Sequence, residues 1–344
     1  MNNPVARIKG ILGELLLNGR QALEVMRAQA MRLDRIDEGQ ALRLGRLERE
    51  QARRFAALER KLEAMGAHGG LPGVPGAPVE AIAAEPLDEI ASLSRERARI
   101  LRLAALLAPF RPRDARKVRV GPPRDGGYVM VEDWGGLAGA ISIGIGDDDA
   151  WDRAMLGHGC PVAQFDHTIT APPGTAPGLA WQPLGIGTVD VNNIRTLRSL
   201  IALSGLPEAG DLVLKMDVEA AEWPVLAAGE ATAPLERFRQ ILIEFHWFDR
   251  IGGDRWFAEA EAALTHLTRS HAVVHVHANN WGGAALIGGV PFPCVLEVTL
   301  LRRDVAELEP ETGFFPTPLD APCNPSRPDI FLGTFRFPQP PADE

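Results

Sequence analysis

The feature that most constrains this chain is an alternation that begins near Leu87. Short apolar runs, most of them ending in glycine, a charge or an amide, take turns with amphipathic stretches of helical period. The strand-like runs are GAISIGIG (139–146), PVAQFDHT (161–168), LAWQPLGIG (179–187), GDLVLKMDVE (210–219), FRQILIEFHWF (238–248), HAVVHVHANN (271–280) and CVLEVTLLRR (294–303). Helix-like stretches fall at 89–110, at 192–205, from about 221 onward and at 255–270. Near-continuous apolar runs suit strands covered on both faces, and parallel strands need a crossover between them. The pattern therefore predicts an α/β domain with a mainly parallel sheet. No helix-length stretch separates the last two runs, so the sheet is expected to close on an antiparallel pair.

The first part of the chain has a different texture. QAMRLDRIDEG (29–39), QALRLGRLERE (40–50) and QARRFAALERK (51–61) align without gaps at a period of 11 residues. Gln29, Gln40 and Gln51 form one row, Leu33, Leu44 and Phe55 a second, and Ile36, Leu47 and Leu58 a third. A spacing of about 3.67 residues per turn makes a straight or slightly right-handed coiled coil. The glutamine row would set its register at some cost in stability. Residues 1–65 are read as a helical stalk that self-associates. Ile8, Ile11, Leu12 and Leu15 add an apolar patch, but the polar face is only mildly basic, so contact with a membrane surface is not expected. Residues 66–86, with GAHGGLPGVPGAP, form a Gly/Pro-rich linker, and 87–344 form the α/β domain.

Charge follows this division. The net charge is −9, yet residues 1–65 hold 13 Lys/Arg against 9 Asp/Glu, leaving 23 against 36 in the rest. So acidic a body argues against nucleic acid as its ligand, because phosphate binding wants a basic face. Cys160, Cys294 and Cys323 are odd in number and far apart, which fits a reducing compartment and no cysteine zinc site. With no signal peptide or membrane span evident, the expectation is a cytoplasmic protein.

In open α/β sheets ligands bind beyond the carboxyl ends of the strands, where strand order reverses. The first run ends SIGIGDDD, a glycine turn at Gly144 and Gly146 with Asp149 where a dinucleotide fingerprint has its third glycine. Acids at 147–149 would also repel a pyrophosphate, so a nucleoside ligand without phosphates is favoured. Asp166, ending the second run, is placed to hold ribose hydroxyls. The fourth run, LVLKMDVEAAEW, carries Lys215 within the strand and Asp217 at its tip. A helix starting near Val218 would put Glu219 and Glu222 on one face. Glu244 and His246 lie two apart on the next strand and share a face, with Glu244 beside Asp217. His246 is the expected general base, and Lys215 is expected to pair with Glu219 or Glu244. His246 and His277 with Asp217 or Glu244 would be one way to hold a divalent metal, but no metal-ligand spacing supports it, and a metal is not favoured.

Taken together, KMDVEAAEW, RDGGYVM (124–130), SIGIGDD, FDHT, LIEFH, HANN and CVLEVTLLRR resemble, in order, the FkbM-type S-adenosylmethionine-dependent methyltransferases over about residues 117–303. The resemblance implies a class I methyltransferase fold: a seven-stranded Rossmann-like sheet with its last strand antiparallel. It implies methyl transfer from S-adenosylmethionine to a hydroxyl of a sugar, glycan or other small molecule. Gly144 and Gly146 would lie under the amino acid part of the cofactor and Asp166 would hold its ribose. Asp125, Gly126 and Tyr128 would wall the methyl donor, and Asp217, Glu219, Glu244 and His246 would line the acceptor side. Ala220 departs from the family, which has glycine there. The competing readings are an NAD(P)-dependent oxidoreductase and a non-catalytic scaffold carried by the stalk.

Overall fold

The computed structural model describes residues 80–229 and 233–337. The 11-residue repeats, and the stalk they were read as forming, lie outside the described residues. Residues 80–86, expected as linker, are helical: α1 runs Glu80–Leu106. The Gly/Pro density ends at Pro78, and the alanine-rich AIAA that follows favours helix.

All seven strand-like runs are strands of one sheet. They are β4 (Leu137–Ile143), β5 (Val162–Phe165), β6 (Leu179–Gln182), β9 (Asp211–Met216), β10 (Phe238–His246), β11 (His271–Ala278) and β14 (Val295–Arg302), while the short β1 (Phe110–Pro112), β7 (Gly185–Ile186), β8 (Ile194–Arg195), β12 (Ala284–Ile287) and β13 (Val290–Pro293) lie outside it. Their spatial order is β11-β14-β10-β9-β4-β5-β6. β14 runs antiparallel to both β10 and β11, while β6, β5, β4, β9 and β10 are mutually parallel. The expected Rossmann-like sheet with an antiparallel last strand is therefore present. Strand order reverses between β4 and β9, which defines the ligand-binding end.

Register lines up the strand tips. Ile143 pairs with Phe165 and with Met216, and Met216 pairs with Ile243. The next residues on those strands are Gly144, Asp166, Asp217 and Glu244. Glu244 pairs with Glu297 of β14, and Glu297 with His277 of β11. One polar row thus crosses the carboxyl end of the sheet.

Helices α4 (Glu222–Ala227) and α5 (Asp254–Ser270) pack with α1 in one core with the sheet, using Ile100, Leu103, Trp223, Leu226, Leu264 and Leu267 among others. In α5, Ala260, Ala263, Leu264 and Leu267 repeat at three and four residues, so burial of one stripe explains the helix. A second core joins α2 (Ala150–Gly157) and the hairpin β2 (Lys117–Val120) and β3 (Tyr128–Val131) through Tyr128, Met130, Trp151 and Met155. Neither α2 nor this hairpin was evident in the periodicity, because each is short. The helix expected at 192–205 is shorter, α3 (Leu197–Leu203), because Thr196 caps it by accepting from the Ser199 N–H at 3.2 Å. Among the described residues no helix is long and apolar enough to cross a membrane, and the three cysteines are free.

Candidate functional site

Two cavities open at the switch point. The first, about 400 Å³, is lined by Asp125, Gly126, Gly144, Gly146, Asp166, Lys215, Asp217 and Glu219, among others. The second, about 420 Å³, is lined by Asp125, Asp217, Glu219, Glu244, His246 and Trp247 with Asp249, Asn279 and Trp281. Asp125, Asp217 and Glu219 belong to both and form the wall between them.

The glycine turn has two different causes. Gly144 has φ +77, and a Cβ there would stand 1.7 Å from the Asp217 carbonyl oxygen. It is glycine so that the tips of β4 and β9 can touch. Gly146 has φ +53 and open space where a Cβ would go. Its N–H donates to Asp166 at 2.9 Å. Asp166 also accepts from the Thr168 N–H at 2.7 Å and its hydroxyl at 2.6 Å. Burial pushes the Asp166 carboxyl up, but the Thr168 and Gly146 bonds outweigh it, so the group stays below the usual carboxylate range. It is held rigid and anionic at the cavity edge. The acids after the turn are partly answered by arginines: Asp148 meets Arg124 at 2.8 Å and Asp149 meets Arg153 at 2.8 Å. Their repulsion of a pyrophosphate is weaker than the sequence suggested.

Tyr128 does not line the first cavity. The β2–β3 pairing turns its ring inward, where it is 2% exposed with the Lys215 ammonium 5.9 Å from the ring centroid. Lys215 is also buried, 3.5 Å from the Gly144 carbonyl. Its expected ion pair with Glu219 or Glu244 is not found among the described residues.

The loop after β9 also differs from expectation. Glu219 and Ala220 are left-handed, with φ +51 and +80, and α4 begins only at Glu222. Glu219 and Glu222 therefore do not share a helix face. The Glu219 side chain is 79% exposed, while that of Glu222 is fully buried. Ala220 adopts the backbone that glycine would take without strain.

Glu222 reaches His246 instead. Its Oε1 accepts from the His246 backbone N–H at 2.8 Å and from Nδ1 at 3.1 Å. The His246 carbonyl accepts from the Trp223 indole at 2.7 Å. The imidazole is thus clamped with Nε2 facing acids: Glu219 and Glu244 at 3.6 Å and Asp217 at 3.9 Å. Burial lowers the His246 pKa, but the bond and charge of Glu222, with Glu219 and Asp217, more than compensate and raise it. Burial raises the Asp217 carboxyl, although Lys215 and His246 oppose this. Burial likewise raises Glu244 well above its ordinary value, helped by the charges of Asp217, Glu297 and Asp125. Asp125 is pushed up to about 6, by burial first and then by Glu297 and Asp217.

The His246–His277 metal set is not assembled. His277 lies between Glu297 at 2.7 Å and Asp329 at 3.1 Å, held by β14 and by the segment after β15 (Leu308–Pro310). Among the described residues, the groups whose donor atoms gather within 4.8 Å are Asp217, Glu219 and His246; Asp125, Glu244 and Glu297; and His277, Glu297 and Cys323. Sequence reasoning passed over Glu222 as a partner of His246, and also Asn279, Glu297 and Asp329. Glu297 carried a signal: it lies in CVLEVTLLRR, whose only acid sits in an otherwise buried strand. Asp329 carried none, because it comes from an irregular segment.

No protein-family model matches the chain, and no curated protein does. Among solved structures it is similar to the Burkholderia thailandensis 1,6-didemethyltoxoflavin-N1-methyltransferase with bound 1,6-didemethyltoxoflavin and S-adenosylhomocysteine. That superposition has a TM-score of 0.26 and 13% identity, covering 67% of this chain and 93% of the other. So loose a superposition supports no argument about this site.

Proposed function

We propose that this chain is an S-adenosylmethionine-dependent methyltransferase acting on a hydroxyl of a small molecule or glycan. The observation that carries the reading is the pair of cavities sharing Asp125, Asp217 and Glu219 at the switch point of the sheet. A donor in the first and an acceptor in the second would meet across that wall. The first cavity also fits the donor by charge. Six acids line it (Asp125, Asp147, Asp148, Asp166, Asp217 and Glu219) against Arg124 and Lys215. Such a lining favours a ligand bearing a sulfonium and an ammonium over one bearing a pyrophosphate.

When bound, S-adenosylmethionine would supply a methyl group already activated by the sulfonium. The protein must then hold the partners in line and take a proton. Asp166 would hold the ribose and the glycine turn would lie under the amino acid part, with Asp125 and Gly126 nearby. His246, oriented through Nδ1 by Glu222, would take the hydroxyl proton at Nε2. Asp217 and Glu219 would stabilise the imidazolium that results. Residues 1–65 would assemble the protein through their 11-residue repeats.

Calorimetric titration with S-adenosylhomocysteine and, separately, with NAD tests the reading. Saturable binding of the former is expected; binding of NAD alone would replace this reading with an oxidoreductase.

A further inference from the structure

We propose that Asp125, Glu244 and Glu297 form a site for a hard divalent cation, Mg²⁺ or Mn²⁺, beside the second cavity. One oxygen from each carboxylate lies within 4.8 Å of the others, and Glu244 and Glu297 are each 5% exposed. They come from three places that register and packing bring together. Glu244 and Glu297 are paired residues of β10 and β14, and Asp125 comes from the β2–β3 turn.

Three carboxylates this close repel one another unless a proton or a cation intervenes. Burial, and then the charges of their neighbours, raises both Asp125 and Glu244 above the ordinary carboxylate range. Lys215 is near but makes no ion pair with any of the three among the described residues.

The carboxylates are oriented as ligands are. Glu244 Oε1 accepts from Asn279 at 2.8 Å, Glu297 Oε2 from His277 Nδ1 at 2.7 Å, and Asp125 Oδ1 from the Gly126 N–H at 3.1 Å. Supporting bonds of this kind hold metal ligands in place and raise their affinity. Tyr128 marks the site independently. Its phenol is buried, has no hydrogen-bond partner among the described residues, and has Asp217, Glu244, Glu297 and Asp125 as its charged neighbours.

An all-oxygen carboxylate set selects Mg²⁺ or Mn²⁺ over softer ions. Cys323 donates to Glu297 at 3.3 Å and is not one of the three gathered carboxylates. The binding does not depend on the methyl-transfer reading; only its use in positioning an acceptor hydroxyl does.

The test is calorimetric titration of the metal-depleted full chain with MnCl₂ and with MgCl₂. Mn²⁺ electron paramagnetic resonance gives a second readout. One saturable site is expected. Glu297→Gln and Asp125→Asn should each weaken Mn²⁺ binding by at least about tenfold. S-adenosylhomocysteine binding by Glu297→Gln should be unchanged, which also verifies that this variant is folded. Absence of saturable Mn²⁺ and Mg²⁺ binding by the unaltered protein overturns the proposal. So does undiminished binding by both variants. Metal binding without S-adenosylhomocysteine binding supports the site while removing the methyl-transfer reading.

Discussion

Glu222 and His246 are joined twice, through the histidine backbone N–H at 2.8 Å and through Nδ1 at 3.1 Å, both to the same carboxylate oxygen. The first residue of α4 therefore sets the ring at the end of β10 and turns Nε2 toward Asp217, Glu219 and Glu244. His246→Ala is expected to lower kcat by about 10²–10⁴-fold, the usual worth of a general base, while S-adenosylhomocysteine binds as before. Turnover of the variant and calorimetry together decide this; normal turnover would remove His246 from the reaction.

Glu222 holds the His246 pKa above its ordinary value, so the imidazolium persists to higher pH. A base must be deprotonated, so kcat/KM should rise with pH along a limb centred above about 6.5. Glu222→Gln keeps the shape but removes the charge, and the limb should move to lower pH. A pH–rate profile that is identical in the two proteins would show that Glu222 has no such influence.

Ala220 sits at φ +80, a backbone that costs an alanine about 1–2 kcal/mol. Glycine removes that cost and gives back part of it as unfolded-chain entropy. Ala220→Gly is therefore expected to stabilise the domain by about 0.5–1 kcal/mol, a rise in Tm of about 1–4 °C. Thermal unfolding checks it, and a lower Tm would contradict the strained loop.

Gly144→Ala points the other way. The added Cβ would meet the Asp217 carbonyl at 1.7 Å, so the tips of β4 and β9 must separate. A loss of about 1–3 kcal/mol in stability is expected, with weaker S-adenosylhomocysteine binding. Gly146→Ala, where the space is open, should cost less. Equal losses at the two positions would refute the distinction.

His277 supplies a stability that depends on pH. Burial lowers its pKa, but the bonds to Asp329 and Glu297 prevail and raise it from 6.5 to about 10. The folded state then holds a proton that the unfolded chain releases near pH 6.5. The stabilisation is complete below that pH and is lost as pH rises through about 10. Urea unfolding at pH 6.5, 8 and 10 should show a falling midpoint, and His277→Gln should flatten the trend.

Much of this site could be read before any strands were placed. Asp166, Asp217, Glu244 and His246 were visible because each ends an apolar run, and a charge there marks the emergence of a strand from the core. Glu222 was visible only as an acid sharing a helix face with Glu219, since the left-handed turn at Glu219 and Ala220 that swings it under His246 leaves no periodic trace. Tyr128 is placed on the cofactor wall by the family resemblance alone, whereas its ring is buried. The inward face of β3 depends on pairing with β2, and local order cannot report it.

The sequence by itself determined the seven strands, their terminal residues and the antiparallel close, because apolar runs and helical stripes are local consequences of burial. Only the tertiary structure decided which of those ends meet. Pairing of Glu244 with Glu297, of Glu297 with His277, and of Ile143 with Met216 sets the polar row, and register is fixed by packing of the whole sheet. The same packing brings Asp125 and Asp329 in from irregular segments. Their place depends on contacts between residues far apart along the chain, which no short window contains.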